Sequence, residues 1–180
     1  LAQLEQVGAV GAKLLYPDGT VQHGGIVGLG DVIAGHAGKG RTSGDSMYIH
    51  MLNTVHEVLG VTAACLAVRK EVYEKLGGLD EYWVPNAYGD VELCLRLREA
   101  GYRNVYTPYA VLTHHESKTR GLNIEAFERI YMRQRWGRQL LSDPYLNPNL
   151  SRSEAYDVDR RFLLSEVPPT VFERMLNREK

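Results

Sequence analysis

An α/β layer structure in one principal unit is the fold class this chain predicts. Three observations lead there. Short apolar runs rich in β-branched residues alternate along the chain with stretches of 3.6-residue apolar spacing. No internal repeat interrupts that alternation. A length of 180 residues, 44% hydrophobic and 24% charged, supplies one ordinary core and leaves little room for wholesale disorder.

The elements follow in chain order. Residues 7–16 read as a short apolar strand, closed by Pro17-Asp18-Gly19, whose Pro and Gly suit a tight turn. A second strand is expected over 20–29. Residues 28–46 are crowded with Gly, Ser, Asp and Lys, a composition that predicts a mobile loop, in one reading a lid. A buried strand is expected over 58–68. A short helix over 69–76 follows, stopped by Gly77-Gly78.

The spacing predicts an amphipathic helix over 90–100, with Val91, Cys94, Leu95 and Leu97 inward and Gly101 at its C-terminal end. Extended segments over 103–106 and 110–113 flank Pro108. The longest helical pattern covers 122–141, with Phe127, Ile130, Tyr131 and Leu141 as its inner stripe and Arg129, Arg133 and Arg138 on the other side. Beyond Asp143-Pro144 the pattern weakens towards a short helix over 169–177. The organisation expected is therefore a unit over 1–150 and an extension over 151–180.

Composition also excludes. A formal net charge of −1 leaves no global basic footprint, so no nucleic-acid partner is expected. Cys65 and Cys94 sit in apolar elements without a CxxC pattern, which predicts buried, reduced thiols and fits a cytoplasmic setting. No apolar run approaches the roughly 18 residues of a membrane span. Contact with a membrane, at its inner face, would be peripheral or through a partner. The chain opens without Met and runs almost at once into an apolar segment, which suggests a piece of a longer polypeptide.

Two features carry chemistry. Asp90 falls where a helix starts, beside free amides and the positive end of the helix dipole, and both favour its charged form. One reading is a helix cap worth about 1 kcal/mol. The other is a general base beside an acceptor hydroxyl. His114 and His115 end a predicted strand, where successive side chains face opposite ways, so only one of them can serve a given site. Acidic helix start and histidine pair together suggest one shared polar site, able to activate a hydroxyl beside a metal ion.

The stretch from Gly77-Gly78-Leu79-Asp80-Glu81 through Gly89-Asp90-Val91-Glu92-Leu93-Cys94-Leu95-Arg96 to His114-His115-Glu116-Ser117 closely resembles the acceptor-side half of family 2 glycosyltransferases. The resemblance covers residues 7–150. It implies the C-terminal part of a GT-A, nucleotide-diphospho-sugar transferase fold: a mixed sheet flanked by helices, with the nucleotide-binding strands and their Asp-x-Asp motif lying before Leu1. Asp157-Val158-Asp159 sits in a polar tail with no apolar strand before it, and reads as a chance match.

Residue roles follow from the same resemblance. Asp90 takes the place of the catalytic base, with Gly89 where many members carry Glu, Asp or Asn. Glu92 supports the acceptor side as a hydrogen-bond acceptor, and Asp80 orders the preceding loop. His114 completes a site for a divalent metal, Mn²⁺ or Mg²⁺, which offsets charge on a leaving diphosphate. His115 faces the core or a phosphate.

Lys118, Arg120 and Arg135 suit the donor diphosphate; a solvated basic loop is the other reading of the first two. Arg135-Trp136 resembles the end of the Gln-x-x-Arg-Trp element of processive members, with Met132 in place of the Gln. Trp136 is then an acceptor platform or a core anchor. Val61-Thr62-Ala63-Ala64-Cys65-Leu66 resembles the strand lining donor sugar and acceptor, which assigns Thr62 to the acceptor and puts Ala63 where Gly is frequent. The run from Arg135-Trp136-Gly137 to Leu150 resembles bacterial, rhamnosyltransferase-like members that build cell-surface polysaccharide.

The implied activity is inverting transfer of a sugar from a nucleotide-sugar donor to a glycan or lipid-linked acceptor. The isolated piece is expected to be inactive and to self-associate through an uncovered sheet edge. Two rivals stay open: a non-catalytic carbohydrate-binding module on the same fold, and a metal-dependent hydrolase built on His114, His115 and Asp90. Against the hydrolase, the chain carries no HExxH or paired-metal ligand set.

Overall fold

The computed structural model describes residues 1–29, 33–45, 47–115, 124–147 and 150. The helix expected over 169–177, the extension over 151–180 and Asp157-Val158-Asp159 lie outside the described residues.

A mixed sheet is built around β1 (Val7–Leu15), whose side chains are buried along almost its whole length. On one side β1 pairs in parallel with β7 (Arg103–Thr113), and β7 pairs antiparallel with β5 (His56–Val58). On its other side β1 pairs antiparallel with β2 (Val21–His23) near its end and with β6 (Leu66–Val68) near its start. The glycines of β1 permit close approach. A Cβ on Gly11 would lie 2.4 Å from Cβ of Val61. Two short strands, β3 (Ile26–Gly28) and β4 (Ala34–His36), form a separate antiparallel hairpin. The helices are α1 (Lys70–Lys75), α2 (Gly89–Glu99) and α3 (Ala126–Leu141). Alternating strands and helices around a mixed sheet are the α/β architecture the sequence predicts.

Five local expectations are corrected. The strand expected over 20–29 breaks at Gly24-Gly25. Gly25 adopts φ 108°, and a Cβ on Gly24 would lie 2.4 Å from Leu52 Cδ2, so the chain leaves the main sheet there and enters the hairpin. The loop expected over 28–46 contains β4, and Ile33 and Ala37 beside it are buried. Its described glycines serve turns and close contacts; a Cβ on Gly28 would meet the Leu140 carbonyl oxygen of α3 at 2.0 Å. The strand expected over 58–68 is divided by a 3-10 turn at Ala63–Cys65. The segments around Pro108 form one strand with a bulge: Ala12 pairs with Thr107 and Lys13 with Val111, so residues 108–110 loop out where proline has no N–H to donate.

The fifth correction concerns α3. Phe127, Ile130 and Leu141 of the expected inner stripe are exposed, while Glu128, Met132, Trp136 and Leu140 are buried at four-residue spacing. An enclosed carboxylate heads the true stripe. Met132, Trp136 and Leu140 pack with Ile26, Leu59, Val84, Val91 and Leu95 in one cluster. Leu93, Cys94 and Leu97 join Ala9, Val58, Val61, Val72 and Tyr106 in a second. Helix α2 thus serves two clusters at once, which is why Leu93 and Glu92 are buried along with the four residues its spacing predicts.

Both cysteines are free. Cys94 is fully buried, and desolvation pushes its thiol up to about 12, so it is an inert packing residue. Cys65 is half-buried. Among the described residues no helix is long and apolar enough to cross a membrane.

Candidate active site

The loop from α1 to α2 frames the site. Gly77 and Gly78 both take positive φ (81° and 71°) and end α1. Asp80 then orders the turn: its Oδ1 accepts from the N–H groups of Tyr82 (2.9 Å) and Trp83 (2.8 Å). The end of the loop is held from α3. Glu128, fully buried, accepts the N–H groups of Asn86 (2.8 Å) and Ala87 (2.9 Å) on one oxygen and that of Glu125 (2.9 Å) on the other. Tyr88 follows in the left-handed region, φ 63°, and is the residue that caps α2.

Asp90 is therefore not the cap; it lies in the first turn of α2, where the helix dipole still favours a negative group. Its Oδ1 accepts from Val91 N–H (2.9 Å), and its Oδ2 reaches across to Ala63 N–H (3.1 Å) at the 3-10 turn. Three successive amides of that turn go to three different side chains. Thr62 N–H donates to His23 Nε2 (3.4 Å), Ala63 N–H to Asp90, and Ala64 N–H to Thr62 Oγ1 (3.4 Å). The broken strand thereby ties Asp90 to the middle of the fold.

Asp90 and Ala63 line a pocket of about 520 Å³ together with His36, Asp80, Tyr88 and Ile124. A larger pocket of about 850 Å³ lies on the other side of the Leu79-Asp80-Glu81 segment, lined by Glu92, Arg96, Tyr131, Arg135 and Trp136. Size does not select the reactive one. In the larger pocket Glu92 and Arg135 are engaged with other side chains, whereas the smaller presents the Asp90 carboxylate at the helix start.

The other expected site residues are distributed as follows. Glu92 is 1% exposed, and Arg96 Nε donates to both its oxygens (2.9 and 2.8 Å). The same guanidinium donates to the carbonyls of Leu76 and of Gly78 (2.6 Å), so the pair clamps the glycine turn. Thr62 is buried and caps the 3-10 turn. Arg135 stacks over the Trp136 ring (3.9 Å) and pairs with Glu99 at 2.6 Å. Glu99 lies nine residues after Asp90, about 13 Å along a helix. Trp136 is 1% exposed and is a core anchor, the second of its two readings. Lys118 and Arg120 lie outside the described residues.

His114 follows β7, its N–H donating to the Leu15 carbonyl (2.9 Å). Its Nδ1 donates to Oε1 of the buried Gln22 (2.8 Å), which leaves the lone pair on Nε2. That is the arrangement of a ligating imidazole with an orienting partner. Among the described residues no group of three His, Cys, Asp or Glu side chains could hold a metal ion.

Sequence reasoning missed His23, His36, Glu128 and the role of Arg96. His23 and His36 approach at 2.9 Å between Nδ1 atoms, from strands of different sheets, and nothing local links them. Glu128 had a local signal, since Glu125 and Glu128 form a reciprocal capping box.

Sequence comparison adds relatives. The chain is 44% identical over 159 residues to the uncharacterized protein y4gI of Sinorhizobium fredii, a match covering 84% of this chain and 17% of that protein. It is 40% identical over 154 residues to the O-antigen biosynthesis protein RfbC of Myxococcus xanthus, covering 83% of this chain and 12% of that one. Over 61 residues it is 36% identical to an N-acetylglucosaminyl-diphospho-decaprenol L-rhamnosyltransferase of Mycobacterium tuberculosis, covering 34% of this chain and 20% of the enzyme. The chain thus spans a fifth or less of each of these proteins. No family profile matches the chain, and no solved structure does.

Proposed function

We propose that this chain is the acceptor-side portion of a metal-dependent, inverting family 2 glycosyltransferase of GT-A fold, acting in the assembly of a cell-surface glycan. Relatives named for O-antigen biosynthesis and for rhamnosyl transfer support a glycosyltransferase-type function at family level. The observation that carries the catalytic reading is Asp90: a carboxylate in the first turn of a helix, lining a pocket, with one oxygen steadied by the Ala63 amide.

In this reading a glycan or lipid-linked acceptor enters the Asp90 pocket. The Asp90 carboxylate takes the proton of its hydroxyl as that oxygen attacks the sugar carbon of the nucleotide donor, and the configuration inverts in one displacement. The Ala63 amide holds the carboxylate in place, and Glu128 holds the loop from which α2 starts. His114 offers Nε2 as one ligand of a divalent ion, Mn²⁺ or Mg²⁺, with Gln22 orienting the ring. Bound there, a divalent ion would supply Lewis-acid relief of charge on the departing diphosphate. Lys118, Arg120 and Arg135 are retained as candidate diphosphate contacts, and Thr62, Glu92 and Trp136 as supports of the acceptor wall. Transfer takes place on the cytoplasmic side, at the inner face of the membrane.

The test needs a polypeptide joining this chain to the nucleotide-binding half that the reading requires. Incubated with Mn²⁺ and a panel of nucleotide sugars, it should release nucleotide diphosphate with one donor. Asp90→Asn should lower that release by about 10²-fold or more, the usual worth of a general base, with an unchanged circular dichroism spectrum. Undiminished turnover would sink the assignment.

One observation favours a second reading, a binding module that holds glycan without reacting. Trp83 stacks on Tyr131 (5.2 Å, 4°) and Tyr82 meets Trp83 edge-on (4.9 Å), so exposed aromatic surface borders the larger pocket, which Tyr82 and Tyr131 line. Such rings offer apolar faces to sugars. Glycan binding indifferent both to metal and to Asp90→Asn would select this reading.

A further inference from the structure

Helix α3 carries apolar side chains on the face it turns away from the core. Its buried line is Glu128, Met132, Trp136 and Leu140, whereas Phe127, Ile130 and Leu141 are 45%, 54% and 55% exposed. At about 100° per residue these three fall on one strip opposite the buried line, about 20 Å long from end to end. Trp83, half exposed and stacked on Tyr131, extends that apolar surface from α3 to the loop before α2.

The charges of α3 frame the strip. Arg129, Arg133 and Arg138 are exposed, while the helix's one carboxylate, Glu128, is inside and bound to three backbone amides. Arg135 is paired with Glu99. A chain of net charge −1 thus sets a basic local field around an exposed apolar strip. That combination selects the partner. An apolar strip alone suits many surfaces; framed by guanidinium groups, it suits one that is negative at its surface and apolar beneath, which describes an anionic bilayer. Arginine side chains on the flanks of a helix reach headgroups while the strip between them sits deeper.

Position gives the surface a use. Ile124, two residues before α3, lines the Asp90 pocket, and Tyr131 lines the larger one. The strip therefore starts next to the pocket that holds Asp90. We infer that the outward face of α3 is a membrane-docking surface, which lays Phe127, Ile130 and Leu141 into an anionic bilayer and holds the Asp90 pocket beside its headgroups. The inference rests on the glycosyltransferase reading only for what the membrane presents there, a lipid-linked acceptor; the docking itself rests on α3.

Vesicle flotation of the 180-residue chain decides it. The chain should float with vesicles of phosphatidylcholine and phosphatidylglycerol, and stay below with phosphatidylcholine alone, where nothing attracts the arginines. Arg129→Gln combined with Arg138→Gln should weaken binding roughly tenfold or more, the worth of two basic residues at an anionic surface. Ile130→Ser should weaken it by about tenfold through lost apolar insertion. All three positions are exposed, so the circular dichroism spectrum should not change. A wild-type chain that stays below with both kinds of vesicle overturns the proposal. Flotation that survives all these substitutions also overturns it, since the contact then lies elsewhere on the molecule. If nothing floats and Ile130→Ser lowers a self-associated mass in solution, the face joins two copies of the chain and the proposal falls. Absence of donor turnover in the joined polypeptide, with vesicle binding intact, is instead the failure of the glycosyltransferase reading, and removes only the acceptor from the inference.

Discussion

Asp90 and His23 illustrate how much a single side chain owes to the amides around it. Each accepts from the same 3-10 turn, yet Asp90 does so at a pocket wall and His23 in the interior. The carboxylate was legible from sequence because a helix start has a local signature. The histidine was not, because its burial depends on strands that meet only after folding. Its burial also has a consequence for stability. His23 and His56 are both held below the usual imidazole value, in each case first by desolvation. The unfolded chain therefore binds more protons than the folded one below the unfolded value near 6.5. Stability contributed by the neutral rings is complete above that pH and is lost as pH falls through it towards the folded values. The loss approaches about 1.4 kcal/mol per pH unit for each ring that stays neutral. Urea denaturation of the isolated chain should thus give a lower midpoint at pH 5 than at pH 7.5. Equal midpoints would mean that neither ring is held neutral.

Helices α2 and α3 were read with unequal success, and the difference is physical. α2 starts one residue before the position expected and ends as its Gly101 signal predicts, because caps and terminators act within a few residues. The inner face of α3 was misjudged because a buried charged residue heads it, and periodicity counts apolar residues alone. Glu128 is inside since it satisfies three backbone amides, two of them from the loop leading into α2. Glu128→Ala should remove that tie and leave those amides without their acceptor. The expected cost is roughly 2–4 kcal/mol, from about 1–3 kcal/mol for each buried group left unpaired with partial recovery by water. Hydrogen exchange should quicken at Asn86 and Ala87 beyond the global change. Protection of those amides equal to wild type would show that α3 does not hold the loop.

At the scale of the whole molecule, the main sheet is unevenly finished. β5 pairs with β7 only along Asn104–Tyr106, and among the described residues no strand pairs the outer edge of β7 beyond that point. Tyr109, Val111 and Leu112 there are 84%, 53% and 45% exposed. An open, apolar strand edge is a template for another strand. The isolated chain is expected to self-associate through it, with a light-scattering mass that rises with concentration and falls back to the monomer in Val111→Lys. A constant monomer mass for the wild-type chain would refute that expectation. What the sequence by itself determined is the α/β class, the helix behind Asp90, the glycine stop at Gly77-Gly78 and a resemblance that named Asp90 and His114 as the residues to examine. These are local: periodicity, capping and turn chemistry act over a few neighbours, and a motif keeps its spacing before the chain folds. Tertiary structure alone decided that Trp136 belongs to the core, that Glu92 is closed off by Arg96, that His23 and Asp90 are held by one turn, and that His36, Ala63 and Asp90 line one pocket. Those outcomes depend on which buried polar groups find partners, and partners from distant strands and helices exist only once the chain has folded.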